Sequence, residues 1–253
     1  MTIAFLLLAA FSAGILDGIA GGGGLIQLPA LLAALPHKET VEILGTSKVA
    51  ATMGTSASAA TYRRKISIDP KLVVAMAIPA FIGAAGGAIL ASHLSTRALK
   101  PIVLIVLLIV VIYTFLNPKL GEVESLKHHP KKRMQIGGLC ALGIGFYDGV
   151  VGPGTGSFLM LAFVAVLGFS FLQASPMAKM VNVTTNLGAI IIFGFHSAVM
   201  WQLGLAMGAA NLCGGLIGAR IGLRGGSLLI RRIFMMVTTL LIIKIGADLY
   251  QSW

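Results

Sequence analysis

The sequence GFYDGVVGPGTGS, residues 145–157, interrupts an otherwise apolar part of the chain. Five of the residues from 145 to 156 are glycine, and Pro153 has no backbone N–H to donate. A continuous α-helix would be costly here, because glycine lowers helix stability by about 1 kcal/mol relative to alanine and proline by about 3 kcal/mol. The pattern therefore predicts a break between two helical arms.

A second stretch of the same kind is GILDGIAGGGG, residues 14–24. It lies inside an apolar run of 33 residues, from residue 3 to residue 35. As one helix this run would be about 50 Å long, whereas the hydrocarbon core of a bilayer is about 30 Å thick. We expect two arms that meet at residues 21–24, with the second arm ending before Pro36.

The composition places the chain in a membrane. Hydrophobic residues make up 57% of the 253 residues and charged residues only 11%. So little polar surface argues against a soluble globular protein. The net charge of +11 comes from basic clusters between the apolar spans, which is typical of cytoplasmic loops and argues against a nucleic-acid interface.

No motif points to catalysis or to a metal. The chain has no HExxH and no GxSxG sequence, and its two cysteines, Cys140 and Cys213, form no CxxC pair. We therefore expect no enzyme activity, no metal site and no cofactor.

The two glycine-rich stretches belong to an internal repeat. A shift of 131 residues, the distance from Gly14 to Gly145, also superposes Asp17 on Asp148 and Lys48 on Lys179. We predict an all-α polytopic membrane protein with two repeats, each a glycine-broken membrane hairpin followed by three transmembrane helices. The expected boundaries are an N-terminal repeat at 1–116, a basic cytoplasmic linker at 117–133 and a C-terminal repeat at 134–253.

The loop charges predict that the two repeats are inverted. The segment 62–71 is strongly basic and its counterpart at 194–203 has no Lys or Arg, whereas the segment 220–232 is basic and its counterpart at 92–100 is less so, although Arg97 and Lys100 remain there. By the positive-inside rule, corresponding loops then lie on opposite sides of the membrane. We expect an integral protein of a bacterial inner membrane with both termini outside.

Lys48 and Lys179 indicate a binding site, because ionisable residues at membrane depth are rare and usually functional. Helical spacing places Lys48 on one face with Thr52 and Thr55, and Lys179 on one face with Asn182 and Asn186. Ammonium, hydroxyl and amide donors of this kind suit an oxyanion. Backbone N–H groups at the two breaks would add donors, from Gly22, Gly23 and Gly24 in the first hairpin and Gly154, Thr155 and Gly156 in the second.

Asp17 and Asp148 each precede a glycine at the approach to a break. Three roles stay open. The carboxylates cap free N–H groups of the second arms, or they pair within their own repeat as Asp17 with Lys48 and Asp148 with Lys179, or they carry protons coupled to transport.

Four segments resemble the TauE/SafE family of sulfite-exporter-like permeases, and the likeness extends over nearly the whole chain. They are GILDGIAGGGGLIQLPAL at 14–31, GTSKVAATMGTSASA at 45–59, GFYDGVVGPGTGSFLMLAFV at 145–164 and AKMVNVTTNLGAIIIFGF at 178–195. The resemblance implies a permease that moves small sulfur-containing or organic anions, such as sulfite, thiosulfate, sulfoacetate or other sulfonates.

Taken together, these features predict a secondary transporter that exposes a small anion alternately to each side of the membrane. An anion channel is the alternative, since it would use the same basic lining. The expected partners are the small anionic substrate and the lipid bilayer, not nucleic acid, and a homodimer stays open.

Overall fold

The computed structural model describes residues 2–93 and 123–250, except for the side chains of residues 237, 238 and 240–250. The elements in these ranges are α-helices: α1 Thr2–Ala20, α2 Gly24–Ala34, α3 Thr40–Arg63, α4 Pro70–Ala91, α5 Pro130–Val150, α6 Thr155–Ala165, α7 Phe171–Phe195 and α8 Trp201–Tyr250. Four segments are long and apolar enough to cross a membrane, namely α1, α4, α7 and Trp201–Met236 of α8. This confirms the predicted class of an all-α membrane protein. Residues 94–116 of the predicted N-terminal repeat lie outside the described residues.

The two glycine-rich stretches break the chain where the sequence predicts. The first break lies between Ala20 and Gly24 and the second between Val150 and Thr155. Gly21 has φ +79° and Gly152 has φ +91°, a left-handed conformation that favours glycine. The second arms, α2 and α6, have 11 residues each, about 16 Å of helix, so they are too short to cross a bilayer.

The tips of the two hairpins contact each other directly. The backbone N–H of Ser157 donates to the carbonyl oxygen of Gly21 at 3.2 Å, and the Ser157 hydroxyl donates to the carbonyl oxygen of Ala20 at 2.9 Å. A Cβ atom on Gly156 would lie 2.8 Å from the carbonyl oxygen of Gly21. The absence of side chains at both glycines lets the two breaks satisfy each other's backbone groups.

In the described chain, the first helix of each half packs against a helix of the other half, so the two halves make equivalent contacts. Helix α1 packs on α8, and α5 packs on α4. Gly14 lies against Asn211, whereas Gly145 lies against Ala80, and both pairs of equivalent residues are 131 positions apart. Small residues allow these close helix contacts in a membrane. The packing therefore supports the two-repeat organisation at the offset read from the sequence.

The basic segment 220–232 contains a break between two helical parts of α8. Gly226 has φ +62° and ψ −167°, which is not a helical conformation, so two helices meet there at a kink. The expected loop is therefore a short kink at Gly226 with helix on both sides.

Substitution of Gly21 should strongly destabilise the fold. In Gly21→Ala the new Cβ would lie 2.5 Å from the Gly156 carbonyl carbon, at a φ that alanine disfavours by about 1 kcal/mol. We expect a large drop in the thermal unfolding midpoint of the purified protein in detergent. Gly143→Ala is the matched control, because a Cβ atom added there would have no atom within 4 Å. Equal midpoints for the two variants would contradict the tip contact.

Candidate functional site

A cavity lies between the two hairpin tips and the helices α3 and α7. Its non-atom space of about 440 Å³ includes open solvent, and the enclosed part of it is small. Its walls are unusually polar for the interior of a membrane protein. The polar lining residues are Asp17, Ser47, Lys48, Asp148, Thr155, Asn182 and Asn186, and the lining glycines are Gly21, Gly24, Gly152, Gly154 and Gly156.

The strongest interaction in the cavity is an ion pair between the two halves. The Nζ atom of Lys48 lies 2.5 Å from Oδ1 of Asp148, and both side chains are buried. The hydroxyl of Thr155 donates to the same Oδ1 atom at 2.5 Å. Oδ2 of Asp148 is buried and has no hydrogen-bond partner in the described structure.

Lys179, which is equivalent to Lys48, also contacts the other half, but through a backbone carbonyl oxygen and not through a carboxylate. Nζ of Lys179 donates to the backbone carbonyl oxygen of Asp17 and lies 5.6 Å from the centre of the Tyr62 ring. The Asp17 carboxylate instead accepts a hydrogen bond from the Thr55 hydroxyl at 2.9 Å. Each lysine therefore reaches the hairpin of the opposite repeat.

These contacts correct the expected pairing of Asp17 with Lys48 and of Asp148 with Lys179. The physical reason is the contact between the hairpin tips. Gly152 lies so close to Lys48 that a Cβ atom there would be 2.8 Å from Nζ, so the second hairpin occupies the space beside the lysine of the first half.

The hydrogen bonds of the described residues also contradict the role in which the carboxylates cap the second arms. The residues before α2 and α6 are Gly23 and Gly154, which have no side chain to cap with. Asp148 accepts from Lys48 and from the Thr155 hydroxyl, not from a backbone N–H. In the first turns of the two arms, backbone carbonyl oxygens accept from most of the N–H groups, namely those of Leu25, Ile26, Gln27, Thr155, Ser157 and Phe158.

The structure places the predicted site residues in two groups. Those that line the cavity are Asp17, Gly24, Lys48, Asp148, Gly154, Thr155, Gly156, Asn182 and Asn186. Those outside the lining are Gly22, Gly23, Thr52, Thr55 and Lys179. Among the latter, the Thr52 hydroxyl donates to the carbonyl oxygen of Lys48 at 2.7 Å, and Gly23 packs against Ala13 and Asp17.

A buried amide network beside the cavity was missed by the sequence reasoning. The Gln27 side-chain amide donates to the Ser47 hydroxyl at 3.0 Å, and the Asn211 amide donates to the Gln27 side-chain oxygen at 2.7 Å. The network ties α2 to α3 and α8. A lone glutamine in an apolar arm was the available signal, but its equivalent in the second repeat is Phe158, so the repeat comparison did not reveal it.

Comparison with known proteins identifies the relatives of the chain. Residues 6–245 match the family described as "Sulfite exporter TauE/SafE". The chain belongs to the TauE/SafE family. This match confirms the resemblance seen in the quoted segments.

Within the TauE/SafE family, several bacterial relatives align over almost their full length. The chain is 38% identical over 248 residues to "Probable membrane transporter protein ORF9" of Sinorhizobium sp, covering 97% of this chain and 93% of the relative. It is 36% identical over 258 residues to "Probable membrane transporter protein YfcA" of Escherichia coli K12, with 98% and 91% covered. A "Probable membrane transporter protein" of Haemophilus influenzae is 32% identical over 254 residues, with 99% and 96% covered. No solved structure matches the chain. The protein is thus an integral membrane transporter and not an enzyme.

Removal of one partner of the Lys48–Asp148 pair should destabilise the protein more than removal of both. Lys48→Met leaves a buried carboxylate without its cation, at an expected cost of about 3 kcal/mol. The double variant Lys48→Met with Asp148→Asn should recover most of the thermal unfolding midpoint. The double variant Lys48→Met with Asp17→Asn is the matched control and should not recover it. Recovery by the Asp17 variant alone would contradict the pairing between repeats.

Proposed function

We propose that this TauE/SafE transporter is a secondary carrier for a small anion, a sulfur-containing oxyanion or an organic sulfonate or carboxylate, which binds between the hairpin tips. The observation that supports this most is the donor set of the cavity. It combines the Lys48 ammonium with the amides of Asn182 and Asn186, and Gly24 and Gly156 at the starts of the two short helices also line it. The Asn186 amide nitrogen is buried without a hydrogen-bond partner in the described structure, so it is available to a ligand.

The charges of the cavity favour coupling to a proton. Its lining contains two carboxylates, Asp17 and Asp148, and one ammonium group, Lys48, which is already paired. An anion that takes Lys48 leaves Asp148 as an unpaired buried carboxylate, which is costly. A proton on the free Oδ2 of Asp148 removes that cost, so we propose that one proton enters with the anion.

The groups around Asp148 are consistent with this role. Helix α3 contributes Lys48 and α1 contributes Asp17, while Lys179 of α7 is bonded to the Asp17 backbone. On its own helix, the neighbouring Tyr147 donates its hydroxyl to the carbonyl oxygen of Pro153 at 2.6 Å. Helix α6 has no ionisable residue, and α4 has only Lys71, at its start. Apart from Asp148 itself, Asp17 is therefore the only carboxylate among the described residues that line the cavity.

Alternating access by two inverted repeats is the proposed mechanism, in an inner membrane with both termini outside. The two hairpins differ in burial, which supports it. Seven consecutive residues of α6, from Thr155 to Leu161, are buried, whereas only three residues of α2 are, namely Gln27, Ala30 and Leu31. In the described residues the second arm of the second hairpin is thus more buried than that of the first. An anion channel remains the second candidate and needs no such difference.

Ligand binding should raise the stability of the purified protein. Sulfite, thiosulfate, sulfoacetate, taurine and simple carboxylates are the anions to screen by thermal unfolding, since a ligand at 100 times its Kd stabilises by about 2.7 kcal/mol. We expect at least one to raise the midpoint in the wild-type protein. The same anion should have a smaller effect on Asn186→Leu, which keeps the volume and loses the donor. A shift with choline but with none of the anions would contradict the proposal.

Proton coupling should depend on Asp148. In proteoliposomes, an imposed pH gradient should drive accumulation of the radiolabelled anion that gives the largest thermal shift. Asp148→Asn should lose this gradient-driven accumulation by about tenfold or more and retain exchange of external for internal anion, because a neutral side chain mimics the protonated state. Asp69→Asn makes the same chemical change at an exposed position and should behave as wild type. Non-saturating flux without exchange would favour the channel.

A further inference from the structure

Tyr62 and Ser175 lie beside Lys179 in a buried cluster that the repeat comparison did not single out. The side chain of Tyr62 is fully buried and that of Ser175 is 1% exposed. The two hydroxyl groups are neighbours, but neither has a hydrogen bond of standard geometry in the described structure. Buried hydroxyl groups without such a bond are rare, because each costs the free energy of its lost hydration.

The ammonium group of Lys179 is the centre of this cluster. Its contacts are the backbone carbonyl oxygen of Asp17 and the face of the Tyr62 ring, 5.6 Å from the ring centre. Among the described residues it has no carboxylate in ion-pair contact, in contrast to Lys48. A buried cation and two hydroxyl groups are therefore within one region, and all three can donate to an anion.

The 131-residue offset shows how this cluster relates to the cavity. Lys179 is equivalent to Lys48, and Ser175 is equivalent to Leu44, which lines the cavity beside Leu28. The residue equivalent to Leu28 is Leu159, which is fully buried. The cluster thus lies where the offset would place the equivalent of the cavity beside the second hairpin, and Leu159, Tyr62 and Ser175 are all buried there.

The hydroxyl of Tyr62 has no counterpart at the equivalent position of the second repeat. Its equivalent in the second repeat is Phe193, which has no hydroxyl group. A Cβ atom on Gly222 would overlap the Tyr62 oxygen, so a glycine in α8 provides the space that the hydroxyl occupies. The equivalent Phe193 is also fully buried, but without a hydroxyl group.

We propose that Lys179, Tyr62 and Ser175 form a second anion position, which receives the substrate when the second hairpin opens to the opposite side of the membrane. This inference rests on the proposed transport of an anion. The ligand class is a small oxyanion, held by one ammonium and two hydroxyl donors. The first position also has the amides of Asn182 and Asn186 in its lining, so the two positions differ in their donors.

Thiol labelling tests the second position without knowledge of the natural substrate. In a background with Cys140→Ser and Cys213→Ser, single variants Leu44→Cys and Ser175→Cys are labelled with 2-sulfonatoethyl methanethiosulfonate, an anion, and with its cationic 2-aminoethyl counterpart. We expect the two variants to be labelled from opposite faces of the membrane. At Ser175→Cys the anionic reagent should react faster by about tenfold or more, because a buried positive charge concentrates anions.

Further substitutions identify the groups responsible. Lys179→Gln should abolish the anion preference at Ser175→Cys, and Lys179→Arg should retain it. Tyr62→Phe should lower the anionic rate at Ser175→Cys and leave the rate at Leu44→Cys unchanged. If Leu44→Cys reacts with anion preference but Ser175→Cys is unreactive or unselective, the second position is wrong and the proposed function stands. If neither variant prefers the anion, both proposals fail.

Discussion

Backbone hydrogen bonding at the two helix breaks is the constraint on which the rest of the structure depends. Hydrocarbon cannot satisfy the N–H and C=O groups that a broken helix exposes, so each break must lie against protein or against water. Here each break lies partly against the other, through the bonds from Ser157 to Gly21 and Ala20. The remaining space between the tips is the cavity, which is therefore a consequence of how the breaks are accommodated.

The same contact explains why the charges cross between the repeats. Two hairpins that meet at their tips bring the approach to each break beside the polar helix of the other half. Lys48 thus meets Asp148, and Lys179 meets the backbone of Asp17. Lys48 contacts a carboxylate, whereas Lys179 contacts a backbone carbonyl oxygen. The two halves are therefore arranged alike, but of these two lysines only Lys48 is in an ion pair. The inequality matches the greater burial of the second hairpin.

Much of the fold follows from the sequence, and the limits have identifiable causes. The breaks were predictable because glycine and proline act locally on the backbone. The offset of 131 residues also holds for packed pairs such as Gly14 with Asn211 and Gly145 with Ala80. The partners of Lys48 and Lys179 were not predictable, since spacing along the chain does not show which half approaches which. Gln27 and Asn211 were missed because their equivalents, Phe158 and Ala80, are apolar.

The exchanged lysine contacts offer a physical route from binding to movement. A ligand shifts a conformational equilibrium only through a difference in its interactions with the two states. An anion that binds Lys48 competes with Asp148, and that contact joins one repeat to the other. Binding would therefore weaken a bond between the repeats at the place where the hairpins meet. A charge pair confined to one repeat would neutralise the lysine equally well, but its loss would leave the contact between the repeats unchanged.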